Sequence, residues 1–126
     1  MILENIHNPA SILGTALQGL SARNDVIQNN ITNADTKNFK KSAVDFETSL
    51  REQLSQSYAT GELRLDRVKA TTRFVNQDFY YRLDGNNVDI DLEMADLYQN
   101  GIKYDALTTG ITKYYEDITS VLRGIT

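Results

Sequence analysis

The chain has 126 residues and a formal net charge of −4, from 13 Lys+Arg against 17 Asp+Glu. That length suits one domain, and a balance without a basic face or stripe excludes an ordinary electrostatic nucleic-acid binder. No cysteine is present, so disulfide frameworks and thiolate metal sites are excluded as well. Lack of cysteine is common in small proteins, and it also suits a chain that crosses a membrane unfolded. No apolar stretch approaches the ~20 residues that span a bilayer. Met1-Ile2-Leu3-Glu4-Asn5 has neither a basic n-region nor a long apolar h-region, so a secretory signal is not expected there.

The first predicted element starts at Asn8-Pro9. Asn is a good N-cap, and Pro fits the first helical position, where its missing N–H costs nothing. Ala10, Leu13, Leu17, Leu20, Asn24, Ile27, Ile31 and Ala34 then alternate in threes and fours. That is the a/d seam of a heptad helix, with Asn24 as its one polar member, a type of position that fixes register. This helix is expected within residues 1–36. The middle segment, residues 37–88, reads differently. Val44, Phe46, Leu50 and Leu54 have helical spacing within residues 42–57. Gly61 to Asp66 alternates as a strand would, and Phe79 to Leu83 is a second strand-like run. Asp84-Gly85-Asn86-Asn87 is a turn signal, because Gly and Asn accept positive φ.

The last predicted element occupies residues 89–126. Ile90, Met94, Leu97, Gly101, Tyr104, Thr108, Ile111, Tyr115, Ile118, Leu122 and Ile125 keep the heptad alternation without a break. A helix of that length is roughly 50 Å long. Asp89, Asp91 and Glu93 favour the positive end of its dipole, and Gly124 fits a helix stop. The fold class expected is therefore mainly α, with long N- and C-terminal heptad helices packing as a coiled-coil-like pair around a small irregular or β-containing middle segment. A seam does not say whose helix fills it. An intramolecular antiparallel pair and packing between subunits both satisfy the pattern.

Chemistry is not expected. His7 is the sole histidine, and it lacks the partners of a ligand or general base. Residues 84–93 superficially suggest a calcium loop. Counted from Asp84, however, Gly falls second and Ala95 twelfth, which breaks the EF-hand spacing. No phosphate loop, nucleophile elbow or zinc pattern occurs. No catalytic residue, cofactor or metal is assigned.

The order of residues resembles a known family. Leu20 to Phe39 is similar to the N-terminal signature of the flagellar rod and hook family, where a heptad helix runs into Asn-Asn-Ile-Ala-Asn and then Thr-Pro-Gly-Tyr. Asn29, Asn30, Ile31, Asn33 and Thr36 match it, and Phe39 stands for the usual Tyr. Thr32 replaces the usual Ala, and Lys37-Asn38 replaces Pro-Gly. Asn follows Gly in tolerance of a left-handed backbone, so the turn is expected to survive. Asp84, Gly85, Asn86, Asn87, Val88 and Asp89 resemble the stretch that opens the C-terminal helix in FlgB-type proximal rod proteins.

The resemblance implies a structural subunit rather than an enzyme. It implies a place in the proximal rod of the flagellar basal body, next to the membrane ring and its adaptor protein, among other rod subunits, where the assembly transmits torque. It implies export through the flagellar type III gate without a cleaved signal. Phe46 and Leu50 match the short gate-recognition motif of early substrates, and an i, i+4 packing pair is the other reading of these two residues. Each terminal helix needs other helices to bury its stripe, so the free chain is expected to order only partly before assembly. A helical-hairpin secretion effector or chaperone is the alternative that shares two heptad helices and lacks a cleaved signal.

Overall fold

A computed structural model describes residues 9–75, 78 and 82–125. Asn8, His7 and Phe79 to Tyr81 lie outside them, so the proposed cap, the lone histidine and most of the second strand-like run are not described. Helix α1 spans Pro9–Thr32 and opens on its proline. Strand β1 (Ser42–Asp45), helix α2 (Glu47–Thr60), a short 3-10 turn (Leu65–Arg67) and strand β2 (Thr71–Phe74) follow, and helix α3 spans Ile90–Ile125. The chain is mainly α, as the heptads require, with a two-stranded antiparallel ribbon between the long helices.

The helices α1 and α3 run antiparallel within one chain. Asn30 meets Glu93, Leu20 meets Asn100, and Leu13 approaches Gly110. Ala10, Leu20 and Ile27 of the α1 seam are buried, and Leu13, Leu17, Asn24 and Ile31 are half-buried. Ala34, the last member, is buried in the turn beyond the helix. The α3 track against α1 differs from the apolar seam. It passes through buried Glu93 and Asn100 and half-buried Leu97, Leu107, Ile111 and Tyr114. Met94 is half-buried, while Tyr104, Tyr115, Ile118 and Leu122 are exposed. Two overlapping stripes share Leu97 and Ile111, and polar residues hold the inward one because α1 supplies them with partners.

Three sequence expectations are corrected. Residues 61–66 form no strand; they lead into the 3-10 turn, and the strands are Ser42–Asp45 and Thr71–Phe74. The stretch at 42–57 is helical only from Glu47, because Val44 and Phe46 are both buried at the two-residue spacing of an extended chain. Gly124 does not stop α3, which continues through it to Ile125.

Phe46 is the plug between the ribbon and α1. Its ring lies on Gly19, where a Cβ would collide with it. One turn along, Arg23 places its guanidinium over the same ring, 5.0 Å from the centroid. Gly14 faces open space, with nothing within 4 Å of where a Cβ would stand. The two glycines therefore respond oppositely to alanine in urea unfolding. Gly14→Ala is expected to stabilise by up to about 1 kcal/mol through helix propensity, and Gly19→Ala to destabilise by about 1–3 kcal/mol through overpacking.

Candidate functional site

Past the end of α1 the chain folds into consecutive turns. The N–H groups of Asn33, Ala34, Thr36 and Phe39 donate to the carbonyls of Asn29, Ile31, Asn33 and Thr36. Asn38 then adopts a left-handed backbone at φ 60°, which is how the turn survives without Pro-Gly. Its N–H donates to the Asp84 carbonyl at 2.8 Å. The facing Gly85 is also left-handed, at φ 78°, and a Cβ there would collide with the Asn38 side chain. Lys40 donates its ammonium to the Gly85 carbonyl.

Two sequence motifs about 50 positions apart close on each other here. Asn86 is fully buried. Its amide donates to the carbonyls of Asn33 at 3.0 Å and Thr36 at 2.8 Å, and its Oδ1 accepts from the Val88 N–H at 2.7 Å. Asn87, 2% exposed, accepts from the Lys41 N–H at 2.7 Å and donates to the Val75 carbonyl at 2.8 Å. It thereby ties the entrance of β1 to the exit of β2. Arg82 donates to the Ala34 carbonyl at 2.6 Å and pairs with Asp35 and Asp84.

Asn30, 1% exposed, carries the third part of the junction. Its Oδ1 accepts from the Ser42 N–H at 3.0 Å. Its Nδ2 donates to the Ser42 carbonyl at 2.8 Å and to Glu93 Oε2 at 2.9 Å. Glu93 is 2% exposed and is neutralised by Lys41 at 3.1 Å. A buried carboxylate is tolerable only with such a partner set. Nearby, Arg23 donates to the Val44 carbonyl at 2.9 Å and pairs with Glu47 at 2.6 Å. Burial pushes the Glu47 carboxyl up, but Arg23 together with the backbone N–H groups of Glu47 and Phe46 outweighs it and holds Glu47 below its ordinary value of 4.5. The pair therefore contributes stability above that value and loses it as pH falls through the lowered one. Asp89 accepts from the N–H groups of Asp91 and Leu92 at the start of α3.

The structure thus brings Asn33 and Thr36 to Asn86, Asn38 to Asp84 and Phe39 to Asn87, while Asn30 meets Ser42 and Glu93. Asn29 stays outside, accepting from the Asn33 side chain on the surface, and Ile31 is half-buried. Phe46 is buried, and Leu50 follows it one helical turn on, half-buried and donating its N–H to the Phe46 carbonyl. Sequence reasoning missed Arg23, Lys41, Arg82 and Asn100, and read Glu93 only as a helix-start charge. The legible signal was position. Glu93 and Asn100 lie one heptad apart, on the same stripe as Leu107 and Tyr114. Asn100 donates to the Leu20 carbonyl at 2.9 Å; its buried Oδ1 has no partner among the described residues. A cleft of about 390 Å³ lies beside it, bounded by α1, the ribbon and α3. Among the described residues no cluster of three or more metal-ligating side chains occurs, and no helix is long and apolar enough to cross a membrane.

The junction is a network of amides and carboxylate with every Asn30 hydrogen-bonding group used. Replacing its donors with a second carboxylate sets like charges beside Glu93. Asn30→Asp is expected to lower unfolding free energy by about 3–5 kcal/mol, more than the ~1–3 kcal/mol of Asn30→Ala, in urea titrations at neutral pH.

Comparison with known proteins bears on what this junction belongs to. No protein-family model matches the chain. It is 34% identical to the flagellar basal body rod protein FlgB of Bacillus subtilis (strain 168), across 89% of this chain and 91% of that protein. It is 34% identical to the FlgB of Borrelia hermsii, across 85% and 90%, and 27% identical to that of Proteus mirabilis (strain HI4320), across 97% and 98%. At this identity and coverage the chain belongs to the FlgB family of flagellar basal body rod proteins.

Proposed function

We propose that this chain is a structural subunit of the proximal rod, that it links the membrane ring and its adaptor to the rest of the rod, and that it transmits torque. The observation that carries the reading is the exposed apolar end of α3. Helix α3 has 36 residues and the described part of α1 has 24; with the helices level at Asn30 and Glu93, α3 beyond Tyr114 runs past the described part of α1. There Tyr115, Ile118, Val121, Leu122 and Ile125 are exposed. An apolar stripe of this kind is stabilised by helices of neighbouring subunits, the same protein or other rod proteins. Torque then passes through many parallel contacts rather than one site, and no catalytic group is required.

Localisation in the basal body and export through the flagellar gate without a cleaved signal belong to the same reading. Phe46 and Leu50 are the proposed gate motif. Because Phe46 is a core plug in the folded chain, gate recognition would act on the chain before it folds. Ordering is graded along the molecule: the junction half is held by its own contacts, and the outer turns of α3 order in the assembled wall.

Deletion of the gene, with electron microscopy of isolated basal bodies, tests the role. Membrane rings without rod, hook and filament, restored by complementation, are the expected result; normal rods would contradict it. The stripe is tested separately by Ile118→Asp and Leu122→Asp. Both sites are exposed, so each is expected to change monomer stability by no more than ~0.5 kcal/mol while abolishing complementation. Lys113→Ala removes only an exposed pair with Asp117 and is expected to complement fully.

A further inference from the structure

Asn100 is the one asparagine of the chain that is followed by glycine. Asparagine is a labile residue, and most labile before glycine, whose bare backbone lets its own nitrogen reach the asparagine Cγ. Gly101 lies inside α3, where glycine is an unfavourable choice. Neither conformation nor space within the chain explains it. Its φ is not positive, and nothing stands within 4 Å of where its Cβ would be. Gly85 differs, since its positive φ and its approach to Asn38 require a glycine.

The fold decides whether this pair reacts. In an α-helix the Gly101 N–H points along the axis toward a carbonyl one turn back, away from the Asn100 side chain. Asn100 is 4% exposed, and its Nδ2 is tied to the Leu20 carbonyl of α1 at 2.9 Å. The Gly101 nitrogen meets Asn100 Cγ only when the Asn100 backbone leaves the helical region. That opens α3 in its middle and breaks the bond to Leu20.

We propose that Asn100-Gly101 is a self-modification site, silent while α1 and α3 are docked and reactive when the chain is unfolded, and that its reaction prevents the chain from closing the α1–α3 pair. The Gly101 nitrogen loses its proton and bonds to Asn100 Cγ. The Cγ–Nδ2 bond breaks, and Nδ2 leaves with that proton as ammonia. Water then opens the cyclic imide at either carbonyl, which leaves aspartate or isoaspartate at this position; water is the only co-reactant. Isoaspartate adds a methylene to the backbone and disrupts the helical hydrogen bonds of α3 where it faces Leu20. Aspartate loses the donor and sets a carboxylate oxygen against the Leu20 carbonyl in a buried place. Arg23, Lys41 and Lys103 line the adjacent cleft; their attraction offsets part of the new charge without restoring the donor. The inference is independent of the rod reading, since it rests on the α1–α3 contact alone.

The test incubates the full chain at neutral pH in buffer and in guanidinium chloride, and follows the peptide that contains Asn100 by mass spectrometry with an isoaspartate assay. Conversion is expected to be more than about tenfold faster in denaturant, as the free energy of opening α3 requires, and to reach Asn100 before any other asparagine. Gly101→Ala places a methyl in open space and favours the helix. It is expected to fold, and to slow the reaction of the denatured chain severalfold. When denaturant is removed, unconverted chains are expected to regain resistance to protease, and chains converted at Asn100 in the same sample to stay sensitive. Equal rates in buffer and denaturant overturn the proposal. So does another asparagine reacting first, an unchanged rate in Gly101→Ala, or converted chains that refold as completely as unconverted ones.

Discussion

Ser42 opens a strand whose outer edge lies against α1, where its N–H and C=O would otherwise be buried without partners. The side-chain amide of Asn30 presents an acceptor and a donor in the places a neighbouring strand would present them, and it satisfies both. Its remaining N–H reaches Glu93 on α3. One amide therefore joins the end of α1, the start of the ribbon and the start of α3. Leaving any of these groups unpaired would cost about 1–3 kcal/mol each. Asn86 does the same for the turn carbonyls, and Asn87 for the entrance of β1 and the exit of β2 at the open end of the ribbon. Apolar contact alone would hold the helices together without fixing where one ends relative to the other, whereas hydrogen bonds of fixed length do fix it.

That relative placement has a consequence for assembly. Because the helices are level at the junction, α3 runs past the described part of α1 at the far end, where its tip is exposed. The inward stripe of α3 carries Glu93 and Asn100, which α1 and β1 satisfy. The neighbouring stripe keeps its apolar residues for other contacts. In the proposed rod role, a subunit built this way is held at one end by its own polar network and would be completed at the other by its neighbours.

Much of this was legible in the sequence, for physical reasons that differ by element. The heptads gave two long helices because a period of seven persists over many turns only when a helix partner reads it. The left-handed position at Asn38 was legible because so few residue types tolerate it. Facing apolar stripes were not enough to choose the α3 track, since the buried one contains a Glu and an Asn whose partners are distant in sequence. The ribbon was misplaced for a related reason. Gly61 to Asp66 alternates, but alternation marks a strand only where one face is buried, and Thr71–Phe74 lies exposed with no pattern to show. The meeting of the turn at Asn33 to Phe39 with Asp84 to Asn87 followed from no local signal; it depends on the long helices returning the chain to the same end.

Residue-resolved amide exchange of the purified monomer tests the central claim, that the polar junction organises the chain and the tip of α3 waits for partners. The amides of Lys41, Ser42 and Val88, bonded to Asn87, Asn30 and Asn86, should be the slowest and share one opening free energy, while α3 beyond Tyr115 exchanges quickly. Uniform protection along all of α3, or junction amides exchanging as fast as the tip, would contradict the account.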